Sequence, residues 1–122
     1  MTDKELLMFA AKAAGYGEVW YVEGNDKPYV GPRYRVGEPV KYRIFNPLTD
    51  DGDALRLAVR CRFHVCVFSA TTVDGVESLG FVEVWNEDSE LLLAEYVEHG
   101  NYEAATRRAI VSAAAEIGKA MP

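Results

Sequence analysis

Three groups of residues in this chain carry side chains that could do chemistry. The first is Cys61, His64 and Cys66. If Arg62 to Ser69 is a strand, side-chain alternation puts His64 and Cys66 on one face, side by side as in a thiol–imidazole pair. The set offers three zinc-type donors with no Cys-x-x-Cys, whereas a structural zinc takes four. No orienting acid or oxyanion hole can be named for a Cys–His nucleophile. Ordinary buried thiols beside a strand histidine is the simpler reading, so no catalytic residue and no metal ligand is assigned. A bridge between Cys61 and Cys66 is not expected either. Along a strand they would sit about 16 Å apart, and a disulfide needs Cα atoms within about 7 Å.

The second group is Asp50, Asp51 and Asp53. Such acids could ligate a hard cation or act as a general base. The spacing lacks the later bidentate Glu of a calcium loop. The stretch Phe45-Asn46-Pro47-Leu48-Thr49 before them reads as a strand end and a proline-fixed turn. Thr49, Asp50, Asp51 and Asp53 are therefore assigned to capping and dipole stabilisation of a helix start.

The third group is a basic stretch, Lys27, Arg33, Arg35, Lys41 and Arg43, interleaved with Tyr29, Tyr34 and Tyr42. Cations between aromatics can hold single-stranded nucleic acid by charge and stacking. The net charge of −6 opposes that use. The charge is uneven: residues 1–62 hold ten bases and nine acids, and residues 63–122 hold three bases and ten acids. Between Asp74 and Glu103 there are nine acids and no Lys or Arg. Negative charge serves solubility. It could also meet a basic partner, including the basic stretch of a second copy, and such self-association would weaken with salt.

The elements that must position these groups follow from pattern. The 122 residues, 49% hydrophobic, fit one domain, 1–122, with enough apolar material for a core. No run approaches the roughly 20 apolar residues of a membrane span. The opening Met1–Glu5 carries two acids rather than a basic-then-apolar leader, so the expected compartment is the cytoplasm.

Thr2-Asp3-Lys4-Glu5 is a capping box, followed by a helix to Ala14 that Gly15 stops. Val19–Val22 and Val40–Phe45 read as strands. Between them Glu23–Gly37 is a Gly/Pro-containing loop. A second helix follows Asp50, with Leu55, Ala58 and Val59 as its expected buried stripe and Arg56 and Arg60 outside. Phe63–Thr71, Leu79–Trp85 and Leu91–Val97 form an antiparallel meander, the first turn marked by Asp74-Gly75. A last helix spans about Tyr102–Gly118, with Ala105, Ala109, Ile110, Ala113, Ala114 and Ile117 inward and Arg107 and Arg108 outward. The fold class is α+β: a sheet with a C-terminal antiparallel meander packed by three helices, an α/β sandwich in the order αββαβββα. The first and last helices, both alanine-rich, suit one face of the sheet. The sequence leaves the face of the central helix open.

The run Asn46-Pro47-Leu48-Thr49-Asp50-Asp51-Gly52-Asp53-Ala54-Leu55-Arg56-Leu57-Ala58-Val59 resembles the signature of the phage ABA-sandwich domain family. These are small proteins of tailed phages and prophages. Lys4–Gly15 resembles the family's opening helix and Ala105–Gly118 its closing helix, so the likeness covers about half the chain. Phe45 stands where the family usually has tryptophan, and Tyr16–Lys41 has no counterpart. The resemblance implies an α/β sandwich and phage origin, but no activity; with that origin the expected compartment is the host cell cytoplasm, and no cofactor is expected. The expectation is a non-enzymatic accessory protein that binds a host or phage protein, with Tyr29, Arg33, Tyr34 and Arg35 as the recognition surface. The alternatives are a small hydrolase-like or metal-dependent enzyme, a nucleic-acid binder through the basic loop, and an acidic imitator of DNA.

Overall fold

The computed structural model describes residues Met1–Pro122. Helix α1 spans Asp3–Ala14. The capping box forms: the Glu5 N–H donates to Thr2 Oγ1 at 3.2 Å, and the Thr2 N–H donates to the Glu5 carboxylate. The Thr2 N–H and the Thr2 hydroxyl both donate to the Glu5 carboxylate, and these two bonds hold its carboxyl below the ordinary range. Gly15 ends the helix in the left-handed region, φ 76°. Two residue pairs, β1 (Tyr29–Val30) and β2 (Arg43–Ile44), form a short antiparallel ribbon. Helix α2 covers Asp51–Cys61.

Strands β3 (His64–Phe68), β6 (Phe81–Trp85) and β7 (Leu91–Tyr96) make an antiparallel sheet in the order β3-β6-β7. Between β3 and β6 projects a separate ribbon of β4 (Thr71–Val73) and β5 (Val76–Ser78). At its tip Asp74 and Gly75 both adopt positive φ, 50° and 77°, the backbone of a type I′ hairpin turn. At the next turn, Asn86 Oδ1 accepts from the N–H groups of Asp88 and Glu90. Helix α3 (Tyr102–Ala120) closes the chain.

All three helices lie on one side of the sheet. Helix α3 packs Ala105, Ala109 and Ala113 onto Val82 and Val84. Its other side meets α1 and α2 around Leu6, Leu7, Ala10, Ala11, Leu57, Val111 and Ala115. Small side chains let α1 and α3 approach so closely that a Cβ at Gly118 would collide with the Phe9 carbonyl. The architecture is α+β, with three helices and antiparallel strands in open sheets.

Several expectations need correction. Val19–Val22 is not a strand; only Trp20 bridges to Tyr29. The Val40–Phe45 strand shrinks to Arg43–Ile44, with Phe45 fully buried and Ile44 exposed. Phe63–Thr71 breaks at Ser69-Ala70, where the Ala70 N–H turns to the Tyr102 hydroxyl. Leu55 and Val59 are exposed, whereas Ala54, Leu57 and Ala58 face the core. Arg107 does not point outward: its Nε donates to the Leu48 carbonyl at 3.0 Å, and it pairs with Asp51 at 2.6 Å. Helix α1 rests on α3 and α2, not on the sheet beside α3.

Candidate functional site

The loop between α1 and α2 carries a compact aromatic cluster. Trp20 stacks on Tyr29, centroids 5.0 Å apart and planes at 23°. Tyr42 meets both rings edge-on, at 5.4 and 5.6 Å. Offset-stacked and edge-to-face pairs suit the ring quadrupoles. The two N–H···O bonds between Trp20 and Tyr29, each 2.9 Å, set the backbones in register. The Trp20 indole N–H donates to the Gly31 carbonyl at 2.8 Å. Gly31 has φ +97°, and a Cβ there would come 2.7 Å from the Lys41 carbonyl oxygen. Only glycine fits a crossing that tight. The Arg33 guanidinium lies 5.2 Å over the Trp20 ring, a cation–π distance. Tyr16, Glu18, Trp20, Pro32 and Arg33 line a shallow cup of about 400 Å³ at this surface.

A polar network ties this loop to the helices. Asp50 is the N-cap of α2, its side chain accepting from the Asp53 N–H at 2.8 Å. Thr49 is not the cap; its N–H closes the turn onto the Asn46 carbonyl. Asp53 does more than complement a helix dipole. It is 5% exposed and accepts from the Asn46 N–H at 2.9 Å, Arg56 at 2.7 Å and Arg43 at 3.3 Å. The bond to Asp53 raises the Arg56 guanidinium above its ordinary pKa. Arg43 also lies 4.8 Å over the Tyr16 ring, and Arg60 lies 5.4 Å over it. Tyr16 and Phe45 in turn meet edge to face. The three aspartates thus divide: Asp50 caps, Asp51 binds Arg107, and Asp53 is the buried anchor of the β2–α2 junction.

The four residues expected to form a recognition surface separate by depth. Tyr29 belongs to the aromatic cluster and is half-buried, and Arg33 lies on the cluster. Tyr34, 54% exposed, and Arg35 project into solvent. Sequence reasoning missed Trp20 and Tyr42 as the platform beneath them. The signal was an aromatic on each side of a Gly/Pro-rich loop, which can meet only if the loop closes.

His64 and Cys66 are both exposed on the face of β3 turned away from the helices. Cys61 is half-buried in α2, and burial pushes its thiol up. No three His, Cys, Asp or Glu side chains converge as a metal-ligand group. The acids of the Asp74–Glu103 stretch do not share one face. Glu83 pairs across to Ala94, and Glu95 to Val82, so Glu83 and Glu95 project from opposite sides of the sheet. A DNA-like row would need one side. No helix is long and apolar enough to cross a membrane. No protein-family model, curated protein or solved structure matches the chain.

Proposed function

We propose that this chain is a phage or prophage accessory protein of the host cytoplasm that acts by binding a host or phage protein, not by catalysis. The observation that carries the binding reading is the pre-organised surface at Trp20, Tyr29 and Tyr42, which presents Arg33, Tyr34 and Arg35 to solvent. Rigid aromatics and arginine are the residue types that dominate protein interfaces, because they bury large area at low entropic cost. The phage assignment rests on the Asn46–Val59 signature and its two flanking helices. The acidic C-terminal half adds steering toward a basic partner.

The test is affinity capture from a bacterial host lysate with the intact chain and with a combined Arg33→Ala, Tyr34→Ala, Arg35→Ala variant. The expected result is a captured protein that the variant loses while its melting temperature stays unchanged. Unchanged capture by the variant refutes the loop's role. A gel shift by the intact chain at moderate salt would replace the reading with single-strand nucleic-acid binding.

A further inference from the structure

The two open edges of the sheet are defended differently. Strand β7 follows Glu90, contains Glu95 and breaks register at Val84–Trp85. Charges and bulges are the usual protection against edge-to-edge pairing. Strand β3 has none of these: His64-Val65-Cys66-Val67-Phe68 carries no Lys, Asp, Glu or Pro and runs in unbroken register with β6. No strand pairs with its outer side.

The surface beside that edge is apolar. Val67 is 50% exposed, and α2 leaves Leu55 and Val59 at 66% and 68%. A groove of about 350 Å³ runs between α2, β3 and α3, floored by Ala54, Leu55, Ala58, Val65, Val67 and Ile110. Charge favours the same strip. From Arg62 to Val73 there is one arginine and no acid, next to a stretch with nine acids. For a chain of net charge −6, the β3 edges themselves can meet without acids opposing acids; the acids lining the groove are Asp51, which is paired with Arg107, and Glu103.

We infer that β3 pairs antiparallel with β3 of a second copy about a twofold axis through Cys66. A twofold contact must be self-complementary. Centring on Cys66 gives all five strand residues partners: His64 meets Phe68, Val65 meets Val67, and Cys66 meets itself. The sheets join into one of six strands, and the Leu55–Val59 rows of the two α2 helices close over the joint. One strand and one helix row make a joint smaller than the roughly 800 Å² per partner of a standard interface. The dimer should therefore dissociate on the order of 1–100 μM.

The test combines sedimentation with cross-linking. Sedimentation of the intact chain across that range should show a monomer–dimer equilibrium that moderate salt leaves in place. Opposed antiparallel residues have Cα atoms about 4.5 or 5.5 Å apart, within disulfide reach. Diamide, which takes two electrons and two protons from a thiol pair, should give a covalent dimer in Cys61→Ser but not in Cys66→Ser. Val67→Lys places a charge on the edge and should weaken association at least tenfold while the fold melts as before. A monomer at every concentration with no Cys66 cross-link overturns the inference. So does a dimer insensitive to Val67→Lys, or one that dissociates in salt or on substitution of Arg33, Tyr34 and Arg35; the last two outcomes would place the contact at the basic loop. Loss of partner capture by the loop variant leaves this dimer untouched, so the two readings fail separately.

Discussion

In the helical frame Ala10, Ala11, Leu57, Ala109, Val111, Ala114 and Ala115 are sealed from solvent. In the loop from Gly17 to Tyr42 only Pro28 and Val30 are covered. The frame is held by close contact of small apolar side chains. The loop is held by a stacked ring pair with a third ring edge-to-face against it, a few directed hydrogen bonds and one buried carboxylate at its exit. The contrast determines where sequence change is tolerated. A close-packed frame registers the loss of any methylene. A loop pinned at a few points registers the loss of its pins and ignores most of its tip.

The sharpest way to test that contrast lies within α2. Leu57→Ala opens a cavity in the frame and should cost about 2–5 kcal/mol, whereas Leu55→Ala, on the exposed side, should stay within about 0.5 kcal/mol. Denaturant unfolding of both variants decides it; equal losses would mean that α2 packs in another rotation.

Asp53→Ala removes the acceptor of the Asn46 N–H and of two guanidinium groups. Hydrogen bonds to a charged group contribute about 1.5–3 kcal/mol. The Arg43 and Arg56 side chains are 40% and 58% exposed, so solvent screening discounts their share. A total loss of about 2–3 kcal/mol is expected, with Asp53→Asn losing less because it keeps an acceptor. Thermal melts of the pair check this.

Trp20→Ala should cost about 1–2 kcal/mol, from an aromatic pair and its burial. Hydrogen exchange should show faster amides at Tyr29 and Phe45, with the helices unchanged. Tyr21 gives a smaller effect of opposite sign. Its buried hydroxyl has no hydrogen-bond partner, and burial raises its pKa. Tyr21→Phe should stabilise the fold by up to about 1 kcal/mol, because it removes an unsatisfied polar group. Because the folded pKa lies above the unfolded one, the wild-type chain keeps its full stability below the unfolded tyrosine pKa and loses part of it as pH rises through the folded value; the variant should lose that alkaline slope.

The smallest effect separates the two thiols. Cys66 is exposed and Cys61 half-buried with a raised pKa, so at neutral pH a thiol reagent should modify Cys66 first. The Cys61 contribution is present below the unfolded thiol pKa and is lost as pH rises through its higher folded value. Mass spectrometry of partly labelled protein reads the order directly.

The features legible in the chain alone are those set by neighbours in sequence. The Thr2–Glu5 capping box, the Gly15 stop and the Asp74-Gly75 turn depend on residues a few positions apart, and each stands where expected; the three antiparallel strands of the meander are also present, but the first stops at Phe68 and the Asp74-Gly75 turn belongs to a separate ribbon inserted before the second. The basic, aromatic character of the loop was legible for the same reason. Which side of each element faces inward had to wait for the packed fold. Leu55 and Val59 lie on the same helix as Leu57, and apolar spacing cannot choose between the two stripes until α1 and α3 are in place. Asp53 reads as one of three acids at a helix start until Arg43 and the Asn46 N–H close around it. Trp20 and Tyr42 stand 22 positions apart, and their contact exists only once the loop between them has closed. Local hydrogen bonding writes an element's bounds into the sequence; burial is a property of what the element meets, and that is settled by the whole chain together.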